Sequence, residues 1–348
     1  MASPYPLYYT LSWLYYHLKP EIKNYTNLAR YPMSYQFNSL KEEPVYRVFF
    51  LGDIMCMQHD RIPKIDPALR NLLDRADLVI GSCEAPITHQ SVRPNATYLF
   101  DFNMAEDFLY ILLKELGIHC QCVLSIANNH IGDRNEEGFY ATLERFKNIG
   151  ITPVGNIQIG NPPIVKIVLG DITIGIAAWT HWLNRKSFEK IHKIWRTPEI
   201  RKQSWVNVKE YEKIDCLIGT PHWEYEFQHF PNSETRDFAH YLLESGFNLL
   251  VGHHPHVIQP LEWYNNGICL YSVGNFCGFQ LSWPTKLVGI FEVRICASGS
   301  HRGLITGYTL HPYVQLETKD EVAIVPLENS PSALRQKFED RLALMFEK

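Results

Sequence analysis

The sequence predicts an α/β fold with mixed β-sheets covered by helices, and three observations predict it. Short apolar runs alternate with segments whose apolar residues recur at helical spacing. In the second half, paired runs about tight turns add antiparallel strands. Five apolar runs end in clusters of polar residues, the pattern expected where ligands gather beyond the carboxyl ends of strands. The 348 residues allow one large or two ordinary domains. With 46% hydrophobic and 20% charged residues, the composition is globular and excludes a disordered, collagenous or coiled-coil chain. The net charge of −4 excludes a bulk nucleic-acid binder, so no nucleic-acid partner is expected.

Residues 1–44 read as an aromatic N-terminal extension. Its segment 5–18 carries Tyr5, Tyr8, Tyr9, Trp13, Tyr15 and Tyr16. Such a segment either lies at a membrane interface or packs as an arm on the protein's own surface. Packing is favoured over membrane contact, because an interfacial helix usually carries Lys or Arg on its polar face and only Lys19 is near. A domain over 45–325 follows, opening with the strand Val45-Tyr46-Arg47-Val48-Phe49-Phe50-Leu51. Helical spacing marks 66–75, 105–116 and 136–148, the last stopped by Gly150. Another helix spans 235–244, with Ser233 as its cap and Gly246 as its terminator. A hairpin joins 164–169 to 172–177 through Gly170-Asp171. Further strands are read at 268–273, 288–295 and 305–314. The segment 326–348 closes the chain, with an amphipathic helix over 331–347.

The eight cysteines are no disulfide framework and are expected to be reduced and mostly buried. No run reaches roughly 18 apolar residues, and the N-terminus has no basic n-region. A cytoplasmic protein is the expectation.

The five polar clusters carry the chemistry. They are Gly52-Asp53, Gly81-Ser82-Cys83-Glu84, Asn128-Asn129-His130, Gly219-Thr220-Pro221-His222 and Gly252-His253-His254-Pro255-His256. A Gly-Asp after a strand more often makes a turn or cap than a site. Three imidazoles in four residues have little structural use, and they point to a metal or phosphate role. In extended backbone His254 and His256 would share a side. If the runs are neighbouring strands, the clusters converge. Their carboxylates, carboxamide and imidazoles suit one or two divalent transition ions, Mn, Fe or Zn, better than Mg or Ca. Two ions a few ångströms apart can share Glu84. Such a pair lowers the pKa of a bound water and clamps an in-line displacement at a phosphate ester, or serves attack on an amide carbonyl.

At these residues the sequence resembles the CapA family of poly-γ-glutamate capsule synthesis proteins, which has the calcineurin-like metallophosphatase fold. The resemblance covers 46–279. It rests on Ala127-Asn128-Asn129-His130-Ile131-Gly132-Asp133, on His222-Trp223, on Val251-Gly252-His253-His254-Pro255-His256-Val257-Ile258-Gln259-Pro260, and on Tyr271-Ser272-Val273-Gly274-Asn275-Phe276. It implies a four-layer α/β/β/α sandwich with two mixed β-sheets. It implies metal ligation by Asp53, Glu84 (bridging), Asn129, His222, His254 and His256. His130 would protonate or steady the leaving group and Asp133 would orient it. His253, Glu226 and Asn275 would face the substrate. The chain departs from the wider superfamily at Met55, where a histidine ligand is usual, and at Glu84, where an aspartate is usual. Glu224 replaces the glycine of the family's His-Trp-Gly motif. The implied function is a metal-dependent hydrolase in which metal-bound hydroxide attacks a phosphoester or amide of an anionic small molecule or polymer. The alternative is a non-hydrolytic metal-containing subunit or binding protein of a poly-γ-glutamate synthesis or export assembly.

Overall fold

The computed structural model describes residues 5–37, 40, 43–57, 60–89, 101–279 and 282–347. Its larger sheet contains β1 (Val45–Ile54), β2 (Leu78–Cys83), β3 (Gln121–Ser125) and β4 (Thr152–Val154), all parallel. The smaller sheet opens with the hairpin of β5 (Val165–Leu169) and β6 (Ile172–Thr180). Parallel to β6 run β7 (Cys216–His222) and β8 (Leu249–Val251), and after the antiparallel edge strand β9 (Leu261–Tyr264) the chain returns as β10 (Gly267–Leu270), which pairs β8 in parallel and holds β9 on its outer side. The chain then returns to the larger sheet. There β11 (Asn275–Cys277) pairs with β1, and β12 (Leu287–Cys296), β13 (Ile305–Glu317) and β14 (Val322–Pro326) extend it antiparallel from β1.

Seven helices matter to the layers and the site. They are α1 (Leu7–Leu18), α2 (Pro67–Leu73), α3 (Phe108–Leu116), α4 (Asn135–Ile149), α5 (Trp205–Tyr211), α6 (Ser233–Glu244) and α7 (Ser332–Met345). Helix α2 packs against α3 and β14, and α4 against β4, on the larger sheet. Alternation along the smaller sheet sorts its two faces. Ile174, Ile176, Ile218, Leu249 and Val251 join the core shared with the larger sheet. Trp179, Leu217 and Leu250 pack under α5 and α6 with Trp205, Phe238 and Leu242. Strands buried on both faces read as continuous apolar runs, as parallel strands do. The four-layer α/β/β/α sandwich with two mixed sheets is therefore present.

The hairpin forms as read, with Leu169 opposite Ile172 and Gly170 at φ +53°. Several boundaries differ, three of them for a visible local reason. Asn232, one residue before Ser233, caps α6 by accepting from the Thr235 amide at 2.8 Å. Met104–Ala105 pair with Ile87–Thr88, so α3 starts at Phe108. The final helix stops at Met345 because Phe346–Glu347 turn extended and pair with Tyr31–Pro32. All eight cysteines are free, and burial pushes the thiols of Cys83, Cys122 and Cys216 up to about 12. No described helix is long and apolar enough to cross a membrane.

Helix α1 buries Tyr9 and His17 and leaves Leu7, Leu11, Leu14 and Leu18 exposed. Its inner rings lie on the loop after β7. Tyr9 stacks on Tyr225 at 4.6 Å, and Trp13 and His17 meet Phe227 edge-on at 5.5 and 4.8 Å.

Two constraints give tests. The Gly52 Cα lies so close to β11 that a Cβ there would sit 2.1 Å from the Gly274 carbonyl oxygen. Gly52→Ala is expected to lower stability by about 1–3 kcal/mol or more, read as a reduced urea midpoint at unchanged m. The second constraint is the buried Glu292. Burial alone would raise its carboxyl, but the His311 imidazole at 3.0 Å and the Arg47 guanidinium outweigh it and hold the group at about 2. A depressed folded-state pKa stabilises above the unfolded value, here 4.5, and the contribution fades as pH falls towards about 2. Glu292→Gln is expected to cost about 1–3 kcal/mol at pH 7. The gap from wild type should close in denaturation curves taken between pH 5 and pH 2.

Candidate metal centre

Parallel strands send their carboxyl ends to one edge, and both sheets do so at the same place. Asp53 sits at the end of β1, Glu84 just after β2, and Asn129 and His130 after β3. His222 ends β7, His253, His254 and His256 follow β8, and Asn275 opens β11. Glycine permits the approach at a second point. A Cβ on Gly252 would lie 1.9 Å from the Tyr271 carbonyl oxygen. The histidine run does not take the extended backbone that would put His254 and His256 on one side. His254 and His256 take φ of +99° and +58°, so a strained turn presents their rings 5.9 Å apart.

All six residues read as ligands are buried, and they meet. Glu84, His254 and His256 each offer a ligand atom, all within 4.8 Å of one another. His222 Nε2 lies 3.4 Å from Glu84 Oε1 and 2.8 Å from Asn129 Oδ1. His222 Nδ1 and His256 Nδ1 lie 3.9 and 4.0 Å from the Asp53 carboxylate. His256 Nδ1 is 3.7 Å from Glu84 Oε2. The Asp53 Oδ2 atom accepts from the His254 amide at 3.0 Å.

The donors fit a divalent cation. Asp53 Oδ1, both Glu84 oxygens, His222 Nδ1 and His254 Nδ1 are buried and lack hydrogen-bond partners. Such orphans are costly unless an ion completes them. Burial, and then Asp53 and Glu226, push the Glu84 carboxyl well above the carboxylate range. Burial and neighbouring imidazoles hold His222 and His254 well below the usual histidine value. Burial would raise Asp53, yet the adjacent His253 and His256 rings bring it below its ordinary value. Asp53 thus offers a carboxylate oxygen and His222 and His254 neutral imidazole nitrogens, the forms that metals bind, whereas a cation at Glu84 would have to displace the proton that burial favours there.

The remaining predicted residues surround this cluster. His130 Nδ1 meets Asp133 Oδ2 at 2.6 Å, and Asp133 also accepts from the Phe102 amide at 2.7 Å. His253 Nδ1 lies 3.2 Å from Asp53 Oδ1, so the geometry sets it against a carboxylate. Asn275 Oδ1 contacts His256 Nδ1 at 2.9 Å. Glu226 hydrogen-bonds Tyr5 and Trp13 of the N-terminal segment. Met55, at the position of the usual histidine, is buried and packs on Gly278. Glu224, pushed up to about 7 by burial, takes φ +71° and accepts from the Asn232 amide ahead of α6.

Three residues escaped the sequence reading. Phe102 stacks on the His130 ring at 3.7 Å and an interplanar angle of 9°. Asn184 reaches both the His130 ring and Asn129 at 3.4 Å, and its amide donates to the Asn129 carbonyl at 3.0 Å. Tyr5 touches His254 Nε2 at 2.9 Å. Phe102 and Asn184 belong to loops without motif, and only the aromatic density of 5–18 marked Tyr5.

Comparison with known proteins matches this framework. Residues 47–280 match the family described as bacterial capsule synthesis protein PGA_cap. The chain is 25% identical over 287 residues to the PGA biosynthesis protein CapA of Bacillus subtilis (strain 168), covering 77% of this chain and 73% of that one. It is 24% identical over 288 residues to the capsule biosynthesis protein CapA of Bacillus anthracis, covering 75% and 66%. Among solved structures it is similar to a phosphatase from Mycoplasma pneumoniae, with 16% identity, a TM-score of 0.47, and coverage of 78% and 94%. The family match takes in every strand end that supplies the cluster, and the chain belongs to the bacterial capsule synthesis protein family PGA_cap, the CapA family.

Proposed function

We propose that the protein is a metal-dependent hydrolase of the CapA type, acting on a phosphoester or amide of an anionic, poly-γ-glutamate-related substrate. The observation that carries this reading is the convergence of two buried carboxylates and three imidazoles, with unpartnered atoms on Asp53, Glu84, His222 and His254. Asp53, Glu84, Asn129, His222, His254 and His256 would hold one or two divalent ions, with Mn, Fe or Zn suited to the mixed oxygen and nitrogen donors. A cation bound there polarises a phosphoryl or carbonyl oxygen and lowers the pKa of a water.

The chain's own residues do the rest. Asp133 accepts a hydrogen bond from His130 Nδ1, which fixes the ring and leaves Nε2 to hold or deliver a second proton. Phe102 stacked on that ring restricts its rotation and keeps water from one face. Asn184 braces His130 against Asn129, so the leaving-group side and the ion-binding side share one support.

Met55 favours a second reading. A buried thioether there leaves one side of the cluster short of a nitrogen donor, and a protein of this kind can bind an anionic polymer without turnover.

Purified wild type is expected to carry a divalent metal by plasma mass spectrometry, and Asp53→Asn, Glu84→Gln and His254→Ala to lose most of it. Unchanged metal content in all three would remove the metal reading. On a panel of phosphodiesters and γ-glutamyl amides, His130→Ala is expected to lower kcat by about 10²–10⁴-fold at unchanged metal content, with Asp133→Asn losing less. Polymer binding by metal-loaded wild type with no turnover on any panel member would select the second reading.

A further inference from the structure

We propose that Tyr5, from the N-terminal segment, is a positioning residue that sets the tautomer of His254 and so frees its Nδ1 for a metal ion. The proposal rests on the metal-centre reading for its purpose, but its geometry stands independently. Two contacts of the Tyr5 hydroxyl bear on His254. The hydroxyl donates to Glu226 Oε1 at 2.6 Å and lies 2.9 Å from His254 Nε2. The other Glu226 oxygen accepts from Trp13 Nε1, so this carboxylate acts as an acceptor at both ends. A phenol has one proton. With that proton committed to Glu226, the oxygen can only accept from His254, and the His254 proton must therefore sit on Nε2.

A neutral imidazole with its proton on Nε2 carries its free lone pair on Nδ1. That atom is buried and has no hydrogen-bond partner. The ring sits 4.6 Å from that of His222 and belongs to the group formed with Glu84 and His256. The relay therefore runs from Glu226 through Tyr5 to His254, and it ends on a lone pair aimed at nothing but a ligand. Its outer members are held in place by packing. Tyr5 meets Tyr9, Trp182 and Tyr225 edge-on at 5.2, 5.4 and 6.0 Å, and the Tyr9 hydroxyl bonds the Glu226 carbonyl. Outer partners of this kind fix ring orientation and tautomer in metal-binding histidines. The aromatic segment that opens the chain thereby becomes part of the site.

Tyr5→Phe in the full chain removes the accepting oxygen and keeps the ring. Two measurements test the proposal. In metal-free, ¹⁵N-histidine-labelled wild type, with the His254 signals assigned by their loss in His254→Gln, the nitrogen shifts should report a proton on Nε2. In Tyr5→Phe they should report a mixture or the other tautomer. By competition titration with Mn²⁺ and with Zn²⁺, Tyr5→Phe should bind about 10–100-fold more weakly than wild type. Trp13→Phe, which removes a bond to the same Glu226 but none to His254, should keep wild-type affinity. A wild-type His254 with its proton on Nδ1, equal affinity in Tyr5→Phe, or an equal loss in Trp13→Phe would each overturn the proposal. Wild type that binds neither ion would sink the metal-centre reading, and the tautomer measurement would still decide the role of Tyr5.

Discussion

Two carboxylates that together accept a single hydrogen bond, buried among imidazoles, are the constraint around which this protein is organised. Asp53 and Glu84 are fully enclosed, and three of their four oxygens have no hydrogen-bond partner. A folded chain tolerates such groups when a cation or a network of protons compensates them. The surrounding residues show how tightly this condition shapes the fold. His222, His253 and His256 all lie within about 4 Å of one carboxylate or the other.

Each level of structure serves that edge. The parallel core of both sheets delivers strand ends to one place, while the antiparallel strands only extend or close the sheets. Gly52 and Gly252 stand immediately before Asp53 and His253, where neighbouring backbone leaves no room for a side chain. The left-handed turn at His254 and His256 then spends backbone strain to bring two rings around one point.

Much of this was legible in the sequence because polarity broke abruptly at the ends of apolar runs. Alternation gave the sheets, and the residue types at the breaks gave the donors. The misplacements have local causes. Asn232 and Ser233 are both good caps, and only the amide that needed a partner decided between them. The ends of α3 and α7 were claimed by short strand pairings between distant segments, which no local pattern records. The shared side of His254 and His256 was tied to extended backbone, whereas Pro255 lies between two residues of positive φ. Phe102, Asn184 and Tyr5 reach the centre from loops and from a separate arm. Their roles exist only once segments 28, 54 and 249 positions apart are brought together.

The split of the donors between the two sheets has a mechanical consequence. Asp53, Glu84 and Asn129 come from one sheet, while His222, His254 and His256 come from the other. Under the proposed assignment an ion at this edge acts as a clasp across the seam of the sandwich. Loading and inter-sheet cohesion then become one variable, because a ligand that binds only the folded state stabilises it by mass action. Chelation would loosen the whole molecule along that seam as well as silencing its chemistry.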